Sequence, residues 1–174
     1  MSTNRTIRMM DFTKKAEIFK AVINYGYYFT IIDELPEQDG EIYNFFVIDI
    51  DADEKFSIFQ FEKTVIKTFT SKPVKRSRVG RAHQLFSLIQ EYYFETRKPI
   101  FLIFQNAHLL KLKVFQAMKT VFESARSREV PLGILFVGDI PQVDKIINKD
   151  KGISLRSAHI HLQASIDPAS HHHN

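Results

Sequence analysis

Pro99-Ile100-Phe101-Leu102-Ile103-Phe104-Gln105-Asn106-Ala107-His108-Leu109-Leu110 is the stretch that decides how this chain folds. Apolar β-formers from Ile100 to Phe104, opened by a proline and closed by polar residues, have the length of a strand. Apolar and polar residues do not alternate within it, so both faces of the strand are covered, as in a parallel sheet between two helical layers. The strand ends in two amides, Gln105 and Asn106. They give and take hydrogen bonds but carry no negative charge, and neither can serve as a general base.

Outward from this strand the hydrophobic period switches between helical and strand-like, which argues for α/β layering. Residues 13–24 place Ile18, Phe19, Val22 and Ile23 on one helical face, and Gly26 stops that helix. Residues 27–32 read as the first strand, 33–40 as an acidic turn containing Pro36, and 44–50 as the second strand. Helical spacing returns over 54–69 through Ile58, Phe61, Val65, Ile66 and Phe69. A basic stretch over 70–81, broken by Pro73 and Gly80, reads as a flexible loop before a helix through Leu85, Phe86, Ile89 and Tyr92. Beyond the strand at 100–104 come a helix at 110–126, a strand at 132–137, a short helix at 142–148 and a fifth strand at 158–162. The expected fold is one three-layer α/β domain over residues 1–166, with a mostly parallel five-stranded sheet. A tail at 167–174 holds His171 to His173, which are assigned to no metal site.

Composition narrows the function. The 174 residues suffice for one buried core, and the apolar fraction is aromatic, with 16 Phe and 6 Tyr. The lack of cysteine excludes disulfides, zinc-thiolate sites and thiol nucleophiles, and fits a cytoplasmic protein. No apolar run approaches the ~18 residues of a membrane span, and the polar start at Ser2, Thr3, Asn4 and Arg5 lacks the apolar stretch expected of a signal peptide. A net charge of +4 is compatible with nucleic acid without demanding it.

Four segments in order carry a resemblance: KPIFLIFQNAHLL, VFQAMKTVFESAR, VPLGILFVGDIPQVDKII and LRSAHIHL, between Lys98 and Leu162. Together they resemble the second half of a bacterial AAA+ ATPase, of the TniB, TnsC and ExeA type found in transposition and secretion. The likeness rests on Ala107 and His108, Gly138 and Pro141, and Arg156. It implies a P-loop-type domain in which the strand at 100–104 ends in a Walker B Asp-Glu-Ala-His. In that motif the Asp holds the water shell of Mg²⁺ and the Glu polarises the attacking water. Gln105 and Asn106 stand there instead, a degenerate Walker B.

The resemblance places a phosphate loop at 32–40, between the first strand and the next helix. That segment has one glycine, no lysine, and the carboxylates of Asp33, Glu34, Glu37 and Asp39, which repel a triphosphate. The chain ends close to its fifth strand, so no helical lid is expected. The expectation is an inactive ATPase-like domain without cofactor or metal.

Arg156 takes the place of the family's arginine finger or sensor, although the second arginine of the pattern is Ala158 here. The plainer reading is a surface arginine in a salt bridge. His108 reads as a helix-start histidine with a backbone partner, and Asp139 as a turn residue. Lys72, Lys75, Arg76, Arg78 and Arg81 form the one concentrated basic cluster, a candidate sequence-independent contact for nucleic-acid phosphates. In DNA-binding members of the resembled family, basic loops before the Walker B strand face the duplex.

Asp49, Asp51 and Asp53 admit two readings: a metal site, as in a nuclease, or N-capping of the next helix by Asp51 or Asp53. The leading functional expectation is a non-catalytic accessory protein of a mobile element or DNA-transaction complex. Its partners would be DNA, an AAA+ ATPase or a transposase, with oligomerisation possible and no membrane. The alternatives are a divergent nucleotide-binding ATPase, a metal-dependent nuclease, or a structural oligomer subunit.

Overall fold

The computed structural model describes residues 5–6, 12–26 and 28–162. Its strands are β1 (Arg5–Thr6), β2 (Phe29–Ile32), β3 (Phe46–Asp51), β4 (Ile100–Gln105), β5 (Leu132–Val137) and β6 (Ser157–Ile160). They form one sheet in the order β1-β6-β2-β5-β4-β3, with every pairing parallel. The five strands expected from the sequence are β2 to β6, and the two-residue β1 adds a sixth at one edge. The helices are α1 (Lys15–Tyr25), α2 (Ile58–Phe69), α3 (Arg78–Thr96), α4 (Leu112–Ser127), α5 (Ile140–Ile147) and α6 (Lys151–Ser154). None of the described helices is long and apolar enough to cross a membrane. The tail at 167–174, its histidines and any lid lie outside the described residues.

β4 shows why its sequence does not alternate. Ile100, Leu102 and Phe104 point into the core beneath α2 to α5, while Phe101 and Ile103 point into a second core beneath α1. Both faces are dry, so every position from Ile100 to Phe104 is buried. The Phe101 ring lies flat over the neighbouring strand, where Gly133 is its register partner. A Cβ at Gly133 would come within 2.3 Å of that ring, so only glycine lets the ring lie there. Phe19 of α1 stacks on the other face of Phe101 at 4.2 Å between centroids, a contact worth about 0.5–1.5 kcal/mol beyond its buried area.

The helices on the larger face follow from spacing and caps. In α2, Phe61, Val65 and Ile66 share one buried stripe. Its cap is Ser57, whose hydroxyl accepts from the Gln60 amide, and not Asp51 or Asp53 as the sequence suggested. Asp53 instead accepts from the Lys55 amide in the turn before the helix. α3 begins at Arg78, capped by Ser77, so the basic stretch is only partly loop. α3 runs in the same direction as α2, since Arg81 meets Glu62 near both starts and Tyr92 meets Phe69 near both ends.

The connection from β2 to β3 carries no α-helix, in keeping with the acidic turn read at 33–40. These strands are separated in the sheet by β5 and β4, and a parallel crossover of this kind usually carries a helix. Residues 33–45 make it with only a 3-10 turn, Ile42–Asn44. The helix covering this face is α1, which precedes β2 in the chain and packs Ile18, Phe19 and Val22 against the sheet.

Candidate functional site

The carboxyl ends of parallel strands are where ligands settle on open α/β sheets. Here that edge has two corners of different character.

At the corner of β2, β5 and α1, the donors are consumed by the protein itself. The amides of Lys15 and Ala16, at the start of α1, donate to the carbonyls of Gln38 and Asp39 at 2.9 and 3.0 Å. The amides of Thr13 and Lys14 donate to the Glu17 carboxylate at 2.8 and 3.0 Å. The bond from Thr13 is the main cause that holds the Glu17 pKa below its ordinary value. Asp33 accepts from the amides of Glu34 and Leu162, and Lys15 pairs with Asp39 at 3.2 Å. Segment 33–40 thus folds over the start of α1 and fills the amide positions with its own carbonyls. Gly40 turns there with φ +71°, and a Cβ on it would come within 3.0 Å of the Lys14 side chain.

Between the corners, at the end of β4, stand Gln105 and Asn106. Gln105 is partly buried, and its amide nitrogen donates to Asp49 on the adjacent strand at 3.3 Å. Asn106 is exposed in the left-handed region at φ 56°, a conformation asparagine tolerates better than other non-glycine residues. Its carbonyl accepts from the Leu109 amide. His108 lacks the partner expected for it: its Nδ1 is buried without a hydrogen bond among the described residues, facing Gly138. Asp139 is more than a turn residue, since it caps α5 by accepting from the Gln142 amide. No group of His, Asp or Glu among the described residues is gathered for a metal ion, and Asp49 and Asp53 are engaged as above.

The other corner, where α2, α3 and α4 begin, is open and positive. The expected basic cluster divides along the α2–α3 connection, which sets out beside Lys67 in the last turn of α2 and reaches this corner at Arg78. Lys72, Lys75, Arg76 and Arg78 are exposed, and none forms an ion pair with a described residue. Arg81 is different. It pairs with the buried Glu62 at 2.9 Å, donates to the Arg76 carbonyl and lies 4.8 Å from the centre of the Phe59 ring. It is a structural arginine that ties α3 to α2.

Sequence reading missed three further cations in this corner. Lys55, Lys111 and Lys113 line, with Arg78 and Arg81, a groove of about 780 Å³. A signal existed in the sequence, because Lys111 and Lys113 flank a helix start, where positive charge opposes the helix dipole.

Arg156 lies just before β6, which sits between β1 and β2 in the sheet. Its guanidinium donates to the Gly152 carbonyl at 2.8 Å and lies over Tyr28 at 5.3 Å. Within one chain, then, it does not meet Gln105 and Asn106.

No protein-family model and no curated protein matches the chain. Among solved structures, a chain in Drosophila ORC bound to AT-rich DNA and Cdc6 matches with a TM-score of 0.51 at 13% identity, over 82% of this chain and 51% of that one. A chain in the complex of Drosophila ORC with GC-rich DNA and Cdc6 gives 0.50 at 12% identity, over 83% and 52%. The chain therefore spans about half the length of the chains it matches. The likeness is one of fold, a three-layer α/β domain with a parallel sheet.

Proposed function

We propose that this chain is a non-catalytic AAA+-like accessory protein of a DNA-transaction complex, such as those serving mobile elements, and that it grips nucleic-acid phosphates through residues 70–78. One observation carries the reading: positive charge and free donors are separated from the strand ends where a triphosphate would be hydrolysed. At the β2 corner the amides are taken, and Lys15 is neutralised by Asp39 in a segment with four carboxylates. Lys72, Lys75, Arg76 and Arg78 instead stand in water on the α2–α3 connection, unpaired among the described residues. The ORC structures are complexes with DNA, which supports the same ligand class here. The engagement of Asp49 with Gln105 speaks against the nuclease alternative.

Four cations give a slope of log affinity against log salt of roughly −3 to −4 on duplex DNA, nearly independent of sequence. Changing Lys75, Arg76 and Arg78 together to alanine flattens it by about two to three units and leaves the melting temperature almost unchanged. Fluorescence anisotropy over a salt series reads both. Failure of the wild type to bind any duplex or single strand at low salt removes the nucleic-acid reading.

A further inference from the structure

The groove at the starts of α2, α3 and α4 is built against itself. Lys55, Arg78, Arg81, Lys111 and Lys113 line it, and the one carboxylate among its lining residues, Glu62, is held by Arg81. None of the three helices has an acidic residue in its first turn. Cations therefore stand against the positive ends of three helix dipoles, an arrangement that repels itself until an anion arrives.

The floor, however, is apolar. Phe56, Ile58, Phe59, Leu112 and Val114 form it, with Phe59 46% exposed. A narrower slot of about 150 Å³ adjoins the groove, sharing Ile58, Glu62 and Arg78 with it and running between Leu85, Phe86, Met118 and Val121. A cavity of that volume holds roughly one benzene ring.

We infer that this groove docks an acidic amphipathic segment of a partner protein, whose carboxylates meet Lys55, Arg78, Lys111 and Lys113 while one large apolar side chain enters the slot. Charge complementarity selects the occupant's sign, and the apolar floor selects a peptide over a nucleic acid. Single strands bind by stacking bases on free aromatic faces. The exposed ring here, Phe59, already has the Arg81 guanidinium 4.8 Å from its centre. The slot accepts a side chain, and helix-in-groove recognition uses anchors at i, i+3, i+4 and i+7 in this way. This site stands apart from the phosphate-binding connection, with Arg78 as the residue common to both.

The test uses the full chain and fluorescent helical peptides with Leu or Phe at that spacing and Asp or Glu elsewhere. Controls are peptides of equal charge with Ser at the apolar positions, and oligothymidylate. The amphipathic peptides should bind at least about tenfold tighter than the Ser controls, because the slot rewards an apolar anchor. Lys111→Glu with Lys113→Glu should weaken them by about tenfold or more, and Phe59→Ser should weaken them while leaving the melting temperature near that of the wild type. Lys75→Ala with Arg76→Ala should leave peptide binding unchanged while reducing DNA binding, so the two readings fail separately. Equal binding of both peptide types, no binding of either, or displacement of the peptide by oligothymidylate from a groove sensitive to Lys111 and Lys113 would each overturn the inference.

Discussion

The two corners of the sheet's carboxyl edge are built from the same elements, strand ends meeting helix starts, yet they have opposite chemistry. Around β2 the first amides of α1 are closed by Gln38 and Asp39, and the carboxylates of segment 33–40 outnumber the lysines beside them, Lys14 and Lys15. Around α2, α3 and α4 the cations outnumber the single carboxylate that lines the groove. A parallel sheet offers its ligand-binding edge wherever strands end, but which stretch remains usable depends on what the connecting segments leave unsatisfied. Here the β2–β3 crossover uses up one corner, and the shortage of carboxylates leaves the other open.

The largest expected effect lies at the seam of the open corner. Arg81→Ala leaves Glu62 buried without its partner and should destabilise the protein by about 3 kcal/mol in urea denaturation. A loss comparable to that of a surface residue would mean that Arg81 belongs with the free cations after all.

A smaller effect is expected between the corners. Gln105→Asp with Asn106→Glu sets a carboxylate against Asp49 and a glutamate in left-handed backbone, costing about 1–3 kcal/mol. No phosphate release should appear, because the phosphate loop is still missing. Measurable hydrolysis of Mg-ATP by this variant would reopen the closed corner as a nucleotide site.

Smaller still is the contribution of Glu17, whose pKa the fold lowers from 4.5, chiefly through the hydrogen bond from the Thr13 amide. A depressed carboxylate pKa adds stability above the unfolded pKa and loses it as the pH falls through the folded value. Glu17→Gln should therefore remove part of the fall in melting temperature on acidification below about pH 4.5, with little change in slope above it. An unchanged acid limb would show that the closed corner is not held by this carboxylate.

The weakest response expected is none. Mg-ATP at millimolar concentration should leave the melting temperature where it is, and a saturable rise abolished by Glu34→Ala or Gln105→Ala would break the contrast between the corners.

Much of the architecture was legible because β4 and β5 are short apolar runs buried on both faces and α2 and α4 carry clean helical stripes. That the strand at 100–104 ends in two uncharged amides, Gln105 and Asn106, was equally plain, since it depends on residue identity alone. What could not be read was how segments meet in space. Segment 33–40 is legible as a turn, but no local pattern records that α1 covers that face of the sheet or that Gln38 and Asp39 close its first amides. Arg81 looks like its basic neighbours in sequence and is separated from them only by a carboxylate 19 residues earlier. Lys55 and Lys111 were overlooked for the same reason, being far apart in the chain and close only once α2 and α4 start side by side.

The closing of α1 by carbonyls from beyond β2 also bears on the order in which the chain folds. α1 has 11 residues, too few to persist alone in water. Its first amides find partners only after β2 has joined the sheet and the crossover has turned back to bring Gln38 beside Lys14. The helix nearest the start of the described chain should therefore consolidate late, after the β3–β4–β5 pairing and the helices beneath it. Substitutions such as Val22→Ala would then accelerate unfolding and leave the refolding rate nearly unchanged, the signature of contacts absent from the transition state.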